Sequence, residues 1–182
     1  MGRESRDGEG ELLLKGSVVN GYLKFVKKSW GKQGLEDCLD ECDLRGQVYS
    51  EKEFYPIDDM VKILQWISRN KGMDKVRAAG NFSIRNLGLL GFLVRFASMK
   101  QMLSQAENSY YQAFKFGKVN IDLKPKEAYI TLKDYTICQE MCVGWAGAFE
   151  AMLDMTNTTG LVEEVECSLR GAPACMYHIT WE

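Results

Sequence analysis

A change of hydrophobic period at Gly117 limits what this chain can fold into more than any other feature. Before it, apolar residues recur at helical spacing; after it they alternate. Val18, Val19, Tyr22, Leu23 and Val26 predict a helix that Trp30-Gly31 closes, and Leu35, Cys38, Leu39 and Cys42 predict a second short one. Spacing makes Cys38 and Cys42 small apolar core residues. Pro56 precedes a helix whose buried face is Ile57, Met60, Val61, Leu64 and Ile67, with Asp58 and Asp59 placed favourably in its first turn. A long helical pattern from Asp74 to Arg95 is interrupted by Gly80, Gly88 and Gly91, which serve close packing or a bend, and a further helix is expected over Ser98 to Phe116.

Beyond Gly117 the pattern is β-β-α-β-β. Val119, Ile121 and Leu123, then Ala128, Ile130 and Leu132, predict a hairpin turning at Pro125-Lys126. Gln139 to Met155 returns to a helix, and Val162 to Arg170 and Ala174 to Trp181 are expected as strands joined by Gly171-Ala-Pro173. Hairpins on either side of one helix predict an α+β fold, with the N-terminal helices packed on one face of a four-stranded antiparallel sheet. Residues 1–14 are expected to be a flexible tail and 15–182 a single domain.

Charge narrows the partners. Twenty-three basic against 25 acidic residues leave a net charge of −2, without the basic surplus that nucleic-acid binding needs. The longest apolar run, Leu87 to Val94, contains two glycines and is far short of the roughly 20 residues of a bilayer span. The opening segment has no apolar core of the signal-peptide kind, so a cytoplasmic location with reduced thiols is expected. There is one histidine, His178, in the last strand, with no serine or aspartate pattern beside it and no phosphate-binding loop elsewhere, so no catalytic site is expected.

The chemistry-bearing residues lie in the last third. Cys142, Glu164, Cys167 and Cys175 are a thiolate and carboxylate set of the kind a tetrahedral metal ion accepts, and the Gly171-Ala-Pro173 turn brings Cys167 opposite Cys175. Glu164 cannot share a strand face with Cys167 unless the strand bulges. On spacing alone Cys138 competes with Cys142 as the fourth ligand, and burial of all these cysteines, or a Cys167–Cys175 disulfide, satisfies the same pattern.

The segment Cys142-Val-Gly-Trp-Ala-Gly-Ala-Phe-Glu-Ala-Met, with Glu163-Glu-Val-Glu-Cys167 and Gly171-Ala-Pro-Ala-Cys175, resembles the C-terminal signature of the vinyl-4-reductase domain family. That family groups with haem–nitric-oxide-binding domains and TRAPP vesicle-tethering subunits. The resemblance implies a structural zinc on Cys142, Glu164, Cys167 and Cys175. It also implies a pocket for a small apolar or aromatic molecule between helices and sheet, for which Phe92, Phe96, Tyr110, Phe114, Trp145 and Phe149 are the candidate walls; core packing is the competing role for each. The tyrosine-serine-arginine clamp of the haem-binding branch is missing, as is a histidine on a mid-chain helix. The function implied is a non-catalytic ligand sensor, a homodimer through its N-terminal helices, signalling by association. A TRAPP-like scaffold and a factor in tetrapyrrole vinyl reduction are the alternatives.

Overall fold

The computed structural model describes residues 11–86 and 98–182. Phe92, Phe96, Gly88 and Gly91 lie outside the described residues, as does the end of the helix expected to reach Arg95. In chain order come β1 (Leu13–Lys15), α1 (Gly16–Glu41), β2 (Phe54–Pro56), α2 (Ile57–Lys71), α3 (Met73–Arg85) and α4 (Met99–Ala113). Then follow β3 (Lys118–Leu123), β4 (Glu127–Lys133), α5 (Gln139–Met155), β5 (Gly160–Glu166), a 3-10 turn (Ser168–Arg170) and β6 (Cys175–Trp181). Among the described residues no helix is long and apolar enough to cross a membrane.

The α+β class is as expected: the second half forms one antiparallel sheet in the order β3-β4-β6-β5. Alternation places Val119, Ala128, Ile130, Leu132, Val162, Cys175, Tyr177 and Ile179 in the buried layer, where α5 packs. The opposite face carries Tyr129 stacked on His178 at 4.3 Å. His178 Nε2 lies 2.8 Å from Glu127, and that bond and one from Lys124 hold the Glu127 carboxyl below its usual range.

The first half follows its helical periods with local differences. The two helices expected around Trp30-Gly31 form one element, α1, kinked where Gly31 takes φ 72°, a left-handed value that suits glycine. The tail boundary at residue 14 is corrected. Leu14 is fully buried, pairs with Tyr55 of β2 and bridges to Phe114, so packing begins earlier than the charged opening suggested. The helix expected to reach Phe116 stops at Ala113 because Phe114 turns to extended backbone to make that bridge.

Helix α4 opens with a capping box: Gln101 N–H donates to Ser98 Oγ at 3.3 Å, and Ser98 N–H donates to Gln101 Oε1 at 2.8 Å. Ser98→Ala is expected to cost about 1 kcal/mol, measurable as a lower urea midpoint with unchanged slope.

Helices α3 and α5 touch backbone to backbone. A Cβ on Gly80 would lie inside van der Waals contact of the Gly144 carbonyl, and one on Gly147 would do the same to the Arg77 carbonyl. Close packing is thus the role of Gly80. Across this contact Arg77 donates to Glu150 at 2.7 Å and reaches the Val162 carbonyl at 3.3 Å, tying both helices to β5.

Candidate functional site

Four side chains meet where α5 begins and the last hairpin turns. Cys142, one turn into α5, faces the sheet; Cys167 follows β5; Cys175 opens β6. The three sulfurs form a near-equilateral triangle: Cys142 to Cys167 is 3.8 Å, Cys142 to Cys175 is 3.9 Å and Cys175 to Cys167 is 4.0 Å. All three cysteines are free and buried. Glu164 completes the group, with one ligand atom from each of the four residues lying within 4.8 Å of all the others.

Strand alternation alone would turn Glu164 away from Cys167. The pairing of β5 with β6 slips between Glu164 and Glu166, and this irregularity aims Glu164 inward. The strand expected to run to Arg170 therefore ends at Glu166. Ser168–Arg170 coils into a 3-10 turn instead, closed by Gly171 at φ 92°, and this swings Cys167 under Cys175. Cys138 is not in the cluster. It is the N-cap of α5, partly exposed, with its thiol pushed up to about 11 chiefly by burial.

Several polar residues that the sequence did not single out surround the cluster. Thr136 Oγ1 lies 3.0 Å from Cys175 Sγ, Ser168 N–H donates to it at 3.4 Å, and Ser168 Oγ lies at 3.3 Å. Burial works against a charge on Cys175, yet these hydrogen bonds outweigh it and lower its thiol, whereas burial raises Cys142. Arg170 donates to Glu164 Oε2 at 3.0 Å, and Tyr177 donates its hydroxyl to the Cys142 carbonyl at 3.0 Å. The other carboxylate oxygen, Glu164 Oε1, is buried without a partner. Of these surrounding residues only Ser168 is adjacent in sequence to a cluster cysteine, Cys167, the one signal that could have flagged it.

The candidate pocket residues form a second group. Tyr110 stacks on Phe114 at 4.9 Å, Phe114 meets Trp145 at 5.7 Å, and Trp145 meets Phe149 at 5.4 Å. Phe116, Tyr135 and Tyr177 extend the same layer. Tyr110 is fixed by donating its hydroxyl to the Phe116 carbonyl at 2.8 Å. Four of the six expected wall residues thus converge between α4, α5 and the sheet.

No family model and no curated protein matches this chain. Solved structures share its fold. An H-NOX protein from S. oneidensis in the Fe(II)NO ligation state aligns with a TM-score of 0.76 at 17% identity, over 93% of this chain and 99% of that one. The NMR structure of an H-NOX domain from Shewanella oneidensis in the Fe(II)CO ligation state gives 0.73 at 18%, with the same coverage. A structure described as modulating heme redox potential through protein-induced porphyrin distortion gives 0.72 at 17%, over 92% of this chain and 99% of that one.

These findings correct the resemblance to the vinyl-4-reductase family: no model of that family matches, and the aligned H-NOX proteins belong to a different one. The structural zinc and the hydrocarbon-binding role that the resemblance implied lose that support with it. The physical reason is that a short pattern of cysteines and glycines encodes a helix–hairpin junction, which does not by itself name a family. What the likeness establishes is the architecture: this chain has the α+β fold seen in H-NOX proteins.

Proposed function

We propose that this chain is a non-catalytic domain that binds a small apolar or aromatic molecule against the layer formed by Tyr110, Phe114, Trp145 and Phe149. The observation that carries the reading is the convergence of these rings from two helices beside the sheet, with Trp145 in contact with the other three and only partly buried. The shared fold supports it, because the aligned structures are described with small diatomic ligands. Signalling then passes by association, with a second copy docked through the N-terminal helices.

Haem is the group that this fold suggests, and neither His178 nor the thiol cluster at the start of α5 fits it. An axial ligand comes from histidine, thiolate or tyrosine side chains free to reach iron. His178 lies on the outer face of the sheet, held by Glu127 and Tyr129. Tyr110 and Tyr177 spend their hydroxyls on backbone carbonyls. The buried thiols at the start of α5 crowd within 4.0 Å of one another, too close for a macrocycle to lie among them.

Native mass spectrometry and solvent extraction of the purified protein test the binding reading. A co-purifying small molecule, or saturable quenching of tryptophan fluorescence by naphthalene that Trp145→Ala weakens at least tenfold, is the expected result. Protein that carries nothing and does not respond to naphthalene would sink it. Sedimentation that returns a monomer at all concentrations would remove the self-association part.

A second reading concerns the cluster. Cys142, Glu164, Cys167 and Cys175 are proposed as the ligands of a thiolate-preferring divalent ion that clips the closing hairpin to α5. A metal–sulfur bond of about 2.3 Å in a tetrahedron makes the sulfur–sulfur edge about 3.8 Å, close to the three separations here. The unpartnered Glu164 Oε1 supports it, since a buried oxygen without a partner costs about 1–3 kcal/mol and an ion relieves that cost. Elemental analysis after chelator-free purification should find one ion per chain; far less rejects the site.

A further inference from the structure

Three of the four donors in the cluster are locked, and one is not. Cys142, Cys167 and Cys175 are 3%, 4% and 0% exposed, and Cys175 is further held by Thr136 and Ser168. The Glu164 side chain is 19% exposed and its partner Arg170 61%. Glu164 stands where β5 slips out of register with β6. Its Oε1 is turned in without a protein partner while its Oε2 is already tied outward to Arg170. It is also the hardest donor present. An ion that accepts three thiolates favours a fourth sulfur over a carboxylate oxygen.

We propose that Glu164 occupies an exchangeable coordination position, and that a low-molecular-weight thiol from solution binds the ion there. The inference rests on the metal reading above. In the exchange the thiol gives its proton to solvent, its sulfur forms a bond to the ion, and the bond between the ion and Glu164 Oε1 breaks. No atom changes oxidation state. One anion replaces another, so the charge around the ion is unchanged, and the released carboxylate keeps its ion pair with Arg170. The cluster thereby becomes a binding site for small thiols as well as a clip.

The test loads the whole chain with Co(II) and titrates in β-mercaptoethanol. A near-ultraviolet sulfur-to-cobalt band is expected on loading. Its intensity should rise saturably by about one third as three sulfurs become four, with a native mass increased by one thiol. Glu164→Ala, which removes the internal competitor, should bind the thiol at least tenfold more tightly; Glu164→Gln, which keeps the shape with a neutral donor, should behave likewise where the alanine variant does not fold. A band that β-mercaptoethanol leaves unchanged in the wild type and both variants, or loss of cobalt without a thiol adduct, overturns the exchange while the metal site stands. Absence of the band on loading overturns the metal reading itself.

Discussion

If the Cys142–Glu164–Cys167–Cys175 cluster holds an ion as proposed, stripping it with a chelator is expected to lower the melting temperature by about 10 °C. A ligand bound at a thousandfold excess over its dissociation constant stabilises the folded state by about 4 kcal/mol, and a domain of this size shifts by about 2–4 °C per kcal/mol. The loss should concentrate in the closing hairpin. The ion would join the start of α5 to both arms of β5 and β6, so amide exchange should quicken at Cys175–Trp181 before the core of α5 loosens. Cys167→Ser separates this from ordinary packing. If the three thiols are only buried side chains, the variant costs about 1 kcal/mol with or without chelator. If they hold an ion, the variant melts near the chelated wild type and chelator adds nothing further. Calorimetry of four samples, wild type and variant with and without chelator, decides between them.

The second large effect is expected at the contact of α3 with α5. Gly147→Ala and Gly80→Ala each drive a methyl group into the backbone of the opposite helix, at the Arg77 carbonyl and the Gly144 carbonyl respectively. Backbone cannot rotate away as a side chain can, so the helices must separate and lose packing along their length. A cost of about 3 kcal/mol or more follows, seen as a drop of about 6–12 °C in melting temperature. Gly144→Ala is the internal control. The nearest atom to its added methyl is the Tyr22 hydroxyl at 3.5 Å, an ordinary contact, so this variant is expected to hold its stability or gain up to about 1 kcal/mol in helix propensity. Equal losses at all three glycines would refute the backbone-contact account.

Particular elements show how far the sequence could be read. The shift from a period near 3.6 to a period of 2 at Gly117 places α4, β3 and β4 with small errors at their ends, because burial on one face writes itself directly into spacing. The errors occur where a distant partner takes over the backbone: Leu14 reaches forward to Phe114, which removes the last turn of α4 and moves residues from the tail into β1. No local pattern records such a partner. The slip of β5 was foreseeable as a condition, since Glu164 and Cys167 are incompatible with a regular strand, but its position between Glu164 and Glu166 depends on the pairing with β6.

The site divides in the same way. By itself the sequence determined the donor types, the two-sided hairpin that brings Cys167 to Cys175, and the aromatic residues available to a helix–sheet layer, because each follows from identity and spacing. Tertiary structure alone decided that Cys142 and not Cys138 joins the cluster, since four residues along a helix is just over one turn and only docking against the sheet says which end is covered. It also decided that Thr136, Ser168 and Arg170 surround the donors, that Trp145 stands among Tyr110, Phe114 and Phe149, and which architecture the chain shares. Those facts depend on contacts between residues far apart in the chain, and hydrophobic burial, which drives such contacts together, has no direction of its own until the elements pack.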